Sequence, residues 1–569
     1  MLLSNMELLA TAPGGVAKLR ELILTLAVQG KLVPQDPADE PAGVLLQKIR
    51  AEKDRLIAEG KIKRDKPLAE IAQNKLPCDL PHGWIWARLS ELGDFSGGKT
   101  PSTQRADFWD GDIPWITPKD MKQLRLFSSE DRVSQAALED GLALIPAHSV
   151  LMVVRSGILR RTVPTAVNEV ATTINQDLKA LVLVRPELAT YVQLLIRGFE
   201  RFILQNLTKI GTTVESIQFE AFATQAFPIP PLAEQSRIVT RVEELMRLCD
   251  ALEAKGQLEA AQHAQLVSTL LGTLTASTTP EELADKWQRV AQHFDLLLDR
   301  PEAIDALEQT LLQLAVRGLL VPQDPQDEPA SILLQRIRTE KDRLIATGQI
   351  KRDKPLPPIT DEEKPFELPV GWEWVRINDL AEVQGGIQKT QLRTPVKQHF
   401  PYLRVANVQR DALRLEEIER FELTMEEWEH WRLVAGDLLI VEGNGSAEEI
   451  GRCAVWTGSI DPCVYQNHLI RVRCFQQDCM AFIKLFLNAP SGAEEMKRLA
   501  ITTSGLYNLS VGKIRNYAVP VPPLAEQSRI VTRVTALRRL CADLRQHLAD
   551  AQTIQSHLAQ ALVDSTSSV

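Results

Sequence analysis

Apolar residues near the amino terminus recur at steps of three and four: Val16, Leu19, Ile23 and Leu26. Such steps return to one face of a helix, so the spacing predicts an amphipathic helix there. The same stripe recurs as Ile304, Leu307, Leu311 and Leu314, and Pro13 and Pro301, behind Thr11 and Asp299, supply helix-start chemistry. A second helix is predicted from Pro41 to Glu59, stopped by Gly60, with Pro329 to Thr347 and Gly348 as its counterpart. Farther along, Ile238, Val242, Leu245, Cys249 and Leu252 alternate in steps of four and three until Gly256 interrupts. Ile530, Val534, Leu537, Cys541, Leu544, Leu548 and Ala551 repeat the alternation. That is the seam of a coiled coil, and it predicts two long helices, each beginning just past a Pro-Pro pair. The first, from Leu232 to Leu271, would span ~60 Å at 1.5 Å per residue.

These stripes coincide because the chain is duplicated. Residues 27–68 and 315–356 are identical at 33 of 42 positions at a constant shift of 288, and "LPHGWIWARL" (80–89) maps onto "LPVGWEWVRI" (368–377) at the same shift. "PPLAEQSRIVTRV" stands unchanged at 230–242 and 522–534. Between the copies lie two segments of similar length and little mutual similarity. The division is therefore a helical region at 1–79, a first module at 80–229, a central helical region at 230–367, a second module at 368–521 and a last helix at 522–569. One frame is continuous and the other is split between the termini, so equivalent copies would close the chain into a ring of approximate two-fold symmetry with adjacent ends.

Inside the modules the period changes. "SVLMVV" (149–154), "KALVLV" (179–184) and "GDLLIV" (436–441) are predicted buried strands, and each module opens on a Trp-rich strand. Residues 186–205 are patterned as one amphipathic helix. The fold class is α+β: two mixed α/β modules joined by duplicated long helices that form an antiparallel coiled-coil spacer.

Composition narrows the setting. A hydrophobic content of 44% and a charged content of 24% are those of a globular protein. No apolar run is long enough to cross a bilayer, and the amino terminus lacks a basic region ahead of its short apolar stretch, so a cytoplasmic location is expected. The seven cysteines include no C-x-x-C pair and are expected to be reduced, apolar fillers rather than metal ligands. The net charge of −9 restricts any nucleic-acid contact to local basic patches.

One motif suggests an enzyme. Gly93 to Thr100 matches G-x-x-x-x-G-K-[ST], the phosphate-binding loop. Pro101 follows Thr100 directly and disfavours the helix such a loop must start. The second module's "AEVQGGIQKTQLR" keeps the paired glycines and loses the G-K-T string. The stretch is expected instead to be a flexible Gly97-Gly98 turn presenting Lys99, Thr100 and Thr103. No glycine-rich dinucleotide signature, methyltransferase D-P-P-Y segment or placeable His/Asp/Ser set is present, and the lone E-x-K at Glu253 falls on a helix, so no catalytic residue, metal site or cofactor site is assigned.

The polar loops carry side chains suited to DNA. Arg and Lys reach phosphates or guanine edges, and Asn and Gln can bond bidentately to adenine. In the first module the candidates are Lys99, Thr100, Thr103, Lys119, Arg160 and Arg161 (with Arg155 beside them), then Gln176, Lys209, Thr212 and Thr213. In the second they are Lys389 (beside Gln388), Arg404, Asn407, Asn444, Ser446, Gln466, Asn467, Ser504 and Tyr507.

With these residues in view, the chain resembles the specificity subunits of type I restriction-modification systems. The resemblance rests on the duplicated layout, the "PIPPLAEQSRIV" and "VPVPPLAEQSRIV" boundaries and "LAVRGLLVPQDP". It also rests on "SGGKTPST", "FWDGDIPWITPKDM", "YLRVANVQ" and "GDLLIVEGNGSAEEIGRCAVW", and covers nearly the whole length. It implies a non-catalytic subunit whose two target-recognition domains each read one half of a split, asymmetric sequence in double-stranded DNA. It further implies helices that set the spacing, two modification (methyltransferase) subunits and two restriction subunits as partners, and AdoMet, ATP and Mg on those partners. A coiled-coil adaptor that reads no DNA would explain the helices but not two unlike modules in one duplicated frame.

Overall fold

The computed structural model describes residues 9, 11–62, 71, 80–209, 211, 214–394, 396–443, 449–500 and 508–567. The chain forms two compact units, Met1–Leu258 with Gln552–Val569, and Glu259–Ala551.

The frame follows its apolar pattern. The short helices are Gly15–Val28 and Pro301–Val316, with Leu19, Ile23 and Leu26, and Ile304, Leu307, Leu311 and Leu314, buried. The next pair is Ala42–Ala58 and Ala330–Ala346, and Gly60 (φ 71°) and Gly348 (φ 74°) take the left-handed conformation that ends each one. The long helices, Leu232–Thr275 and Leu524–Ser567, have 44 residues each. Gly256 does not interrupt the first, because a glycine in a helix interior costs only about 1 kcal/mol.

The long helices contribute to both units. In the first unit, Ile238, Val242 and Cys249 share a core with Leu19 and Leu22 of the short helix and with Ala559 and Val563 from the end of the other long helix. In the second, Cys541 shares a core with Ile304, Leu307 and Leu311 and with Val267 and Leu271. Each seam thus serves three helices, and Leu544, on the expected stripe, stays 41% exposed. The two ends of the chain meet in the first unit, where the Lys18 ammonium donates to the Ser556 carbonyl at 2.8 Å.

The modules share a topology that their sequences conceal. The first has a sheet ordered Gly93–Gly97, Leu178–Leu183, Val150–Val153, Thr165–Asn168, Arg125–Leu126. The second orders Ala381–Gly385, Leu469–Cys474, Leu438–Val441 and Cys453–Val455 in the same way. Each adds a small sheet, Asp131–Val133, Ile113–Ile116, Thr173–Ile174 in one and Glu419–Glu422, His399–Leu403, Val464–Tyr465 in the other. In both, the first two strands pair antiparallel and the last two parallel. The segment expected as one helix over 186–205 divides into Ala189–Gly198 and Glu200–Asn206. It divides where Gly198 lies so close to the short helix that a Cβ would stand 2.4 Å from Val28.

Each module is closed by its first and last strands lying side by side. Ile85–Arg88 pairs with Ala226–Ile229, and Glu373–Arg376 pairs with Ala518–Val521. A copied junction then fastens module to long helix. The Trp84 indole donates to Glu234 at 3.0 Å and the Trp372 indole donates to Glu526 at 2.9 Å. Gln35 and Gln323 donate to the same carboxylates, and Arg237 and Arg529 grip Asp39 and Asp327 at 2.5 Å. Burial raises the Glu234 and Glu526 carboxyls above the ordinary carboxylate range, against the pull of these donors.

Cys249, Cys453, Cys463, Cys474, Cys479 and Cys541 are buried free thiols, as expected of apolar fillers, and desolvation pushes Cys453 and Cys463 up to about 12. Cys78 lies outside the described residues. Among the described residues, no helix is long and apolar enough to cross a membrane.

Candidate nucleic-acid interface

The G-x-x-x-x-G-K-T match does not form a phosphate cradle. Gly93–Gly97 is itself a strand of the large sheet, and no helix starts at Lys99 or Thr100. The glycines answer a packing demand. A Cβ on Gly93 would stand 2.2 Å from the Val182 carbonyl oxygen, and one on Gly98 would stand 2.1 Å from the Ile174 and Asn175 oxygens. Gly98 is therefore wedged against a crossing strand rather than part of a flexible turn, which corrects that expectation. Its counterpart Gly386 is wedged equally, 2.2 Å from the Gln466 oxygen.

This wedge builds a corner where three segments meet, and both modules have it. In the first, Lys99 N–H donates to the Ile174 carbonyl at 3.1 Å and Asn175 N–H donates to the Ile116 carbonyl at 3.0 Å. In the second, Ile387 N–H donates to Tyr465 at 2.9 Å and Gln466 N–H donates to Leu403 at 3.0 Å. Residues 98–100, 174–177 and 116–119 thus correspond to 386–388, 465–468 and 403–406. Gln176 corresponds to Asn467 and Thr117 to Arg404.

The side chains on the two corners differ. Lys99 and Lys119 are exposed, with their ammonium groups 3.7 Å from Asp140 and 3.9 Å from Asp131. The Thr100 hydroxyl donates to the Gln176 side-chain oxygen. Thr103 is exposed nearby. Arg155 reaches Asp177 at 3.3 Å, and both Arg155 and Lys209 lie in register with Ser216 across a small sheet, so a basic line leads away from the corner. Arg160 is pinned at 2.6 Å to the buried Glu215, while Arg161 is exposed.

On the second corner, the Lys389 ammonium (3.0 Å), the Arg404 guanidinium (2.7 Å) and the Tyr402 hydroxyl converge on Glu419. The Tyr402 hydroxyl, then Lys389, holds the Glu419 carboxyl below its usual range, and Glu419 in turn raises the Lys389 ammonium. Gln466 and Asn467 are half-buried in the loop that Gly386 wedges.

Asn407 is the clear departure from expectation. It is buried, accepting from Arg404 N–H at 2.8 Å and donating to the carbonyls of Arg414 and Glu417 at 2.8 and 2.9 Å. Its amide is spent on shaping the loop. Thr212, Thr213, Asn444, Ser446, Ser504 and Tyr507 lie outside the described residues. The equivalence of Gln176 and Asn467 escaped sequence reading because the offset drifts from 288 at the glycines to 291 at the carboxamides. The available signal was the pair of dipeptides Asn175-Gln176 and Gln466-Asn467.

A family model described as the type I restriction modification DNA specificity domain matches residues 81–262 and again 369–551, more than half of the chain. The specificity subunit of the type I restriction enzyme EcoEI of Escherichia coli is 34% identical over 566 residues, covering 97% of this chain and 93% of the relative. That of EcoAI, also from Escherichia coli, is 34% identical over 565 residues with the same coverage. The crystal structure of an HsdS subunit from Thermoanaerobacter tengcongensis matches 86% of this chain and 98% of its own at 17% identity, with a TM-score of 0.37.

Proposed function

Because the chain belongs to the type I restriction-modification DNA specificity family, we propose that it is the subunit that selects the DNA sequence, with each module reading one half of a bipartite target. The observation that carries this reading is the repeated corner: one backbone scaffold, fixed by the same two hydrogen bonds and the same wedged glycine, presents different side chains in each module. A scaffold that holds its backbone and varies its side chains suits direct readout of base edges. Two unlike corners select two unlike half-sites, so the target is asymmetric.

Lys99, Thr100, Lys119 and Gln176 are assigned to one half-site, and Lys389, Arg404, Gln466 and Asn467 to the other. Arg155, Lys209 and the exposed Arg161 serve the phosphate backbone. The helices set the unread gap and dock two modification and two restriction subunits. Leu248 and Leu540, counterparts on the two long helices, are 55% and 58% exposed and supply apolar positions for that docking. Catalysis, AdoMet, ATP and Mg belong to those partners, in the cytoplasm.

The test is to express the chain with its modification subunit and map methylated adenines in host DNA. A split asymmetric motif supports the reading; random methylation or one continuous motif sinks it. Gln176→Ala is expected to relax one base position in one half-site by about 10- to 100-fold, the worth of a bidentate contact. Asn467→Ala is expected to do the same in the other half-site. Relaxation spread evenly over both halves would remove these residues from base reading.

A further inference from the structure

Duplicated frames create a pairing problem. Most contacts that join a frame to its long helix are copied with the same donor and acceptor: Trp84–Glu234 with Trp372–Glu526, Gln35–Glu234 with Gln323–Glu526, and Asp39–Arg237 with Asp327–Arg529. Either long helix would satisfy these bonds for either frame, so they carry no information about which frame belongs where.

One contact is inverted. In the first unit, Arg20 of the short helix meets Asp250 at 2.7 Å and Glu253 at 2.8 Å on the long helix. In the second, the equivalent of Arg20 is Glu308, which meets Arg545, the equivalent of Glu253, at 2.6 Å. The second carboxylate has changed helices as well. Asp250 is replaced by Ala542 on the long helix, and Ala17 is replaced by Asp305, 2.7 Å from Arg545, on the short one. The base is on the short helix in one unit and on the long helix in the other. Arg538 adds a further hold on Glu308 at 3.0 Å where the first frame has Met246.

We propose that this inverted bridge is a pairing code that makes each short helix choose its own long helix over the equivalent helix of the other frame or of a second copy of this chain. On exchange, Arg20 faces Arg545, and Asp305 and Glu308 face Asp250 and Glu253. Four carboxylates then share one patch, and three guanidinium groups, those of Arg20, Arg538 and Arg545, share the other. The native bridges are partly exposed and individually weak, so the discrimination comes from like charges in the exchanged state rather than from the strength of the native pairs.

The test uses the full chain, refolded from denaturant and analysed by size-exclusion chromatography with light scattering. The double variant R20E/E253R keeps an ion pair in the first unit while giving both frames the same polarity. Exchanged dimers are expected at a fraction about tenfold above that of the unaltered chain, the order set by losing a few weak charge contacts. The quadruple variant R20E/E253R/E308R/R545E restores opposite polarity and is expected to return the dimer fraction close to the original. E308R/R545E equalises the frames from the other unit and decides the matter if the first double variant does not fold. Equal dimer fractions in the unaltered chain and the folded double variant overturn the proposal, as does a quadruple variant as dimeric as the double.

Discussion

A chain carrying one extra heptad in each long helix, between Leu252 and Leu258 and between Leu544 and Ala551, is expected to select a target with both half-sites unchanged and a longer unread centre. Each long helix is continuous for 44 residues and contributes one part to each unit. Seven residues add ~10 Å at 1.5 Å per residue, about three base pairs at 3.4 Å each. A heptad returns the added turns to nearly the same face, so the seams on either side keep their partners. Methylation mapping reads the result directly. Altered bases within a half-site would show that the helices take part in reading rather than in spacing. Lengthening one helix alone shears the two seams against each other, and its expected outcome is loss of methylation at any defined site.

Trp372→Ala is expected to destabilise the second unit by about 3–5 kcal/mol, the usual loss for a large buried aromatic. Trp372 is 6% exposed, meets Phe482 edge-on at 5.6 Å and donates to Glu526, itself buried. The variant therefore opens a cavity and removes a donor from a buried carboxylate. Burial already raises Glu526, so the group binds its proton more tightly folded than unfolded. Its favourable contribution is present below the ordinary carboxylate range and declines as pH rises through the raised folded value. Loss of the indole donor penalises the ionised form further, so the damage is larger at neutral pH than in mild acid. Urea midpoints at the two pH values check this. A loss independent of pH would assign the whole effect to packing, and Trp372→Phe, which restores one aromatic ring without the donor, would then recover a large part of it.

The frame was legible because its signals are local and occur twice. Stripes at Leu19, Ile23 and Leu26 and stops at Gly60 and Gly348 specify helices whatever surrounds them. The corner at the paired glycines was only partly legible. Gly97 and Gly98 stood out as a pair, but the reason for Gly98 is a carbonyl from a strand far along the chain, and sequence cannot display such an approach. Asn407 has the composition of a base-reading residue, yet three backbone partners in its own loop claim its amide. The division of the helix predicted over 186–205 likewise depends on how closely Gly198 lies against Val28. At Gly98 and Gly198 a tertiary contact overrides the local pattern.

The two-stranded closures of the modules bear on how such proteins diversify. Since the entering strand of each module lies against its leaving strand, Ile85–Arg88 against Ala226–Ile229 and Glu373–Arg376 against Ala518–Val521, both ends of the inserted segment arrive at one point. The flanking words, G-W before and P-P-L-A-E-Q after, are the same in both places. A segment cut at those words can be carried to the other position, or replaced by a foreign one, without moving the ends it must join. Because the Trp and Glu of each latch lie in those shared words, an exchange of the segment between them would leave the latch intact.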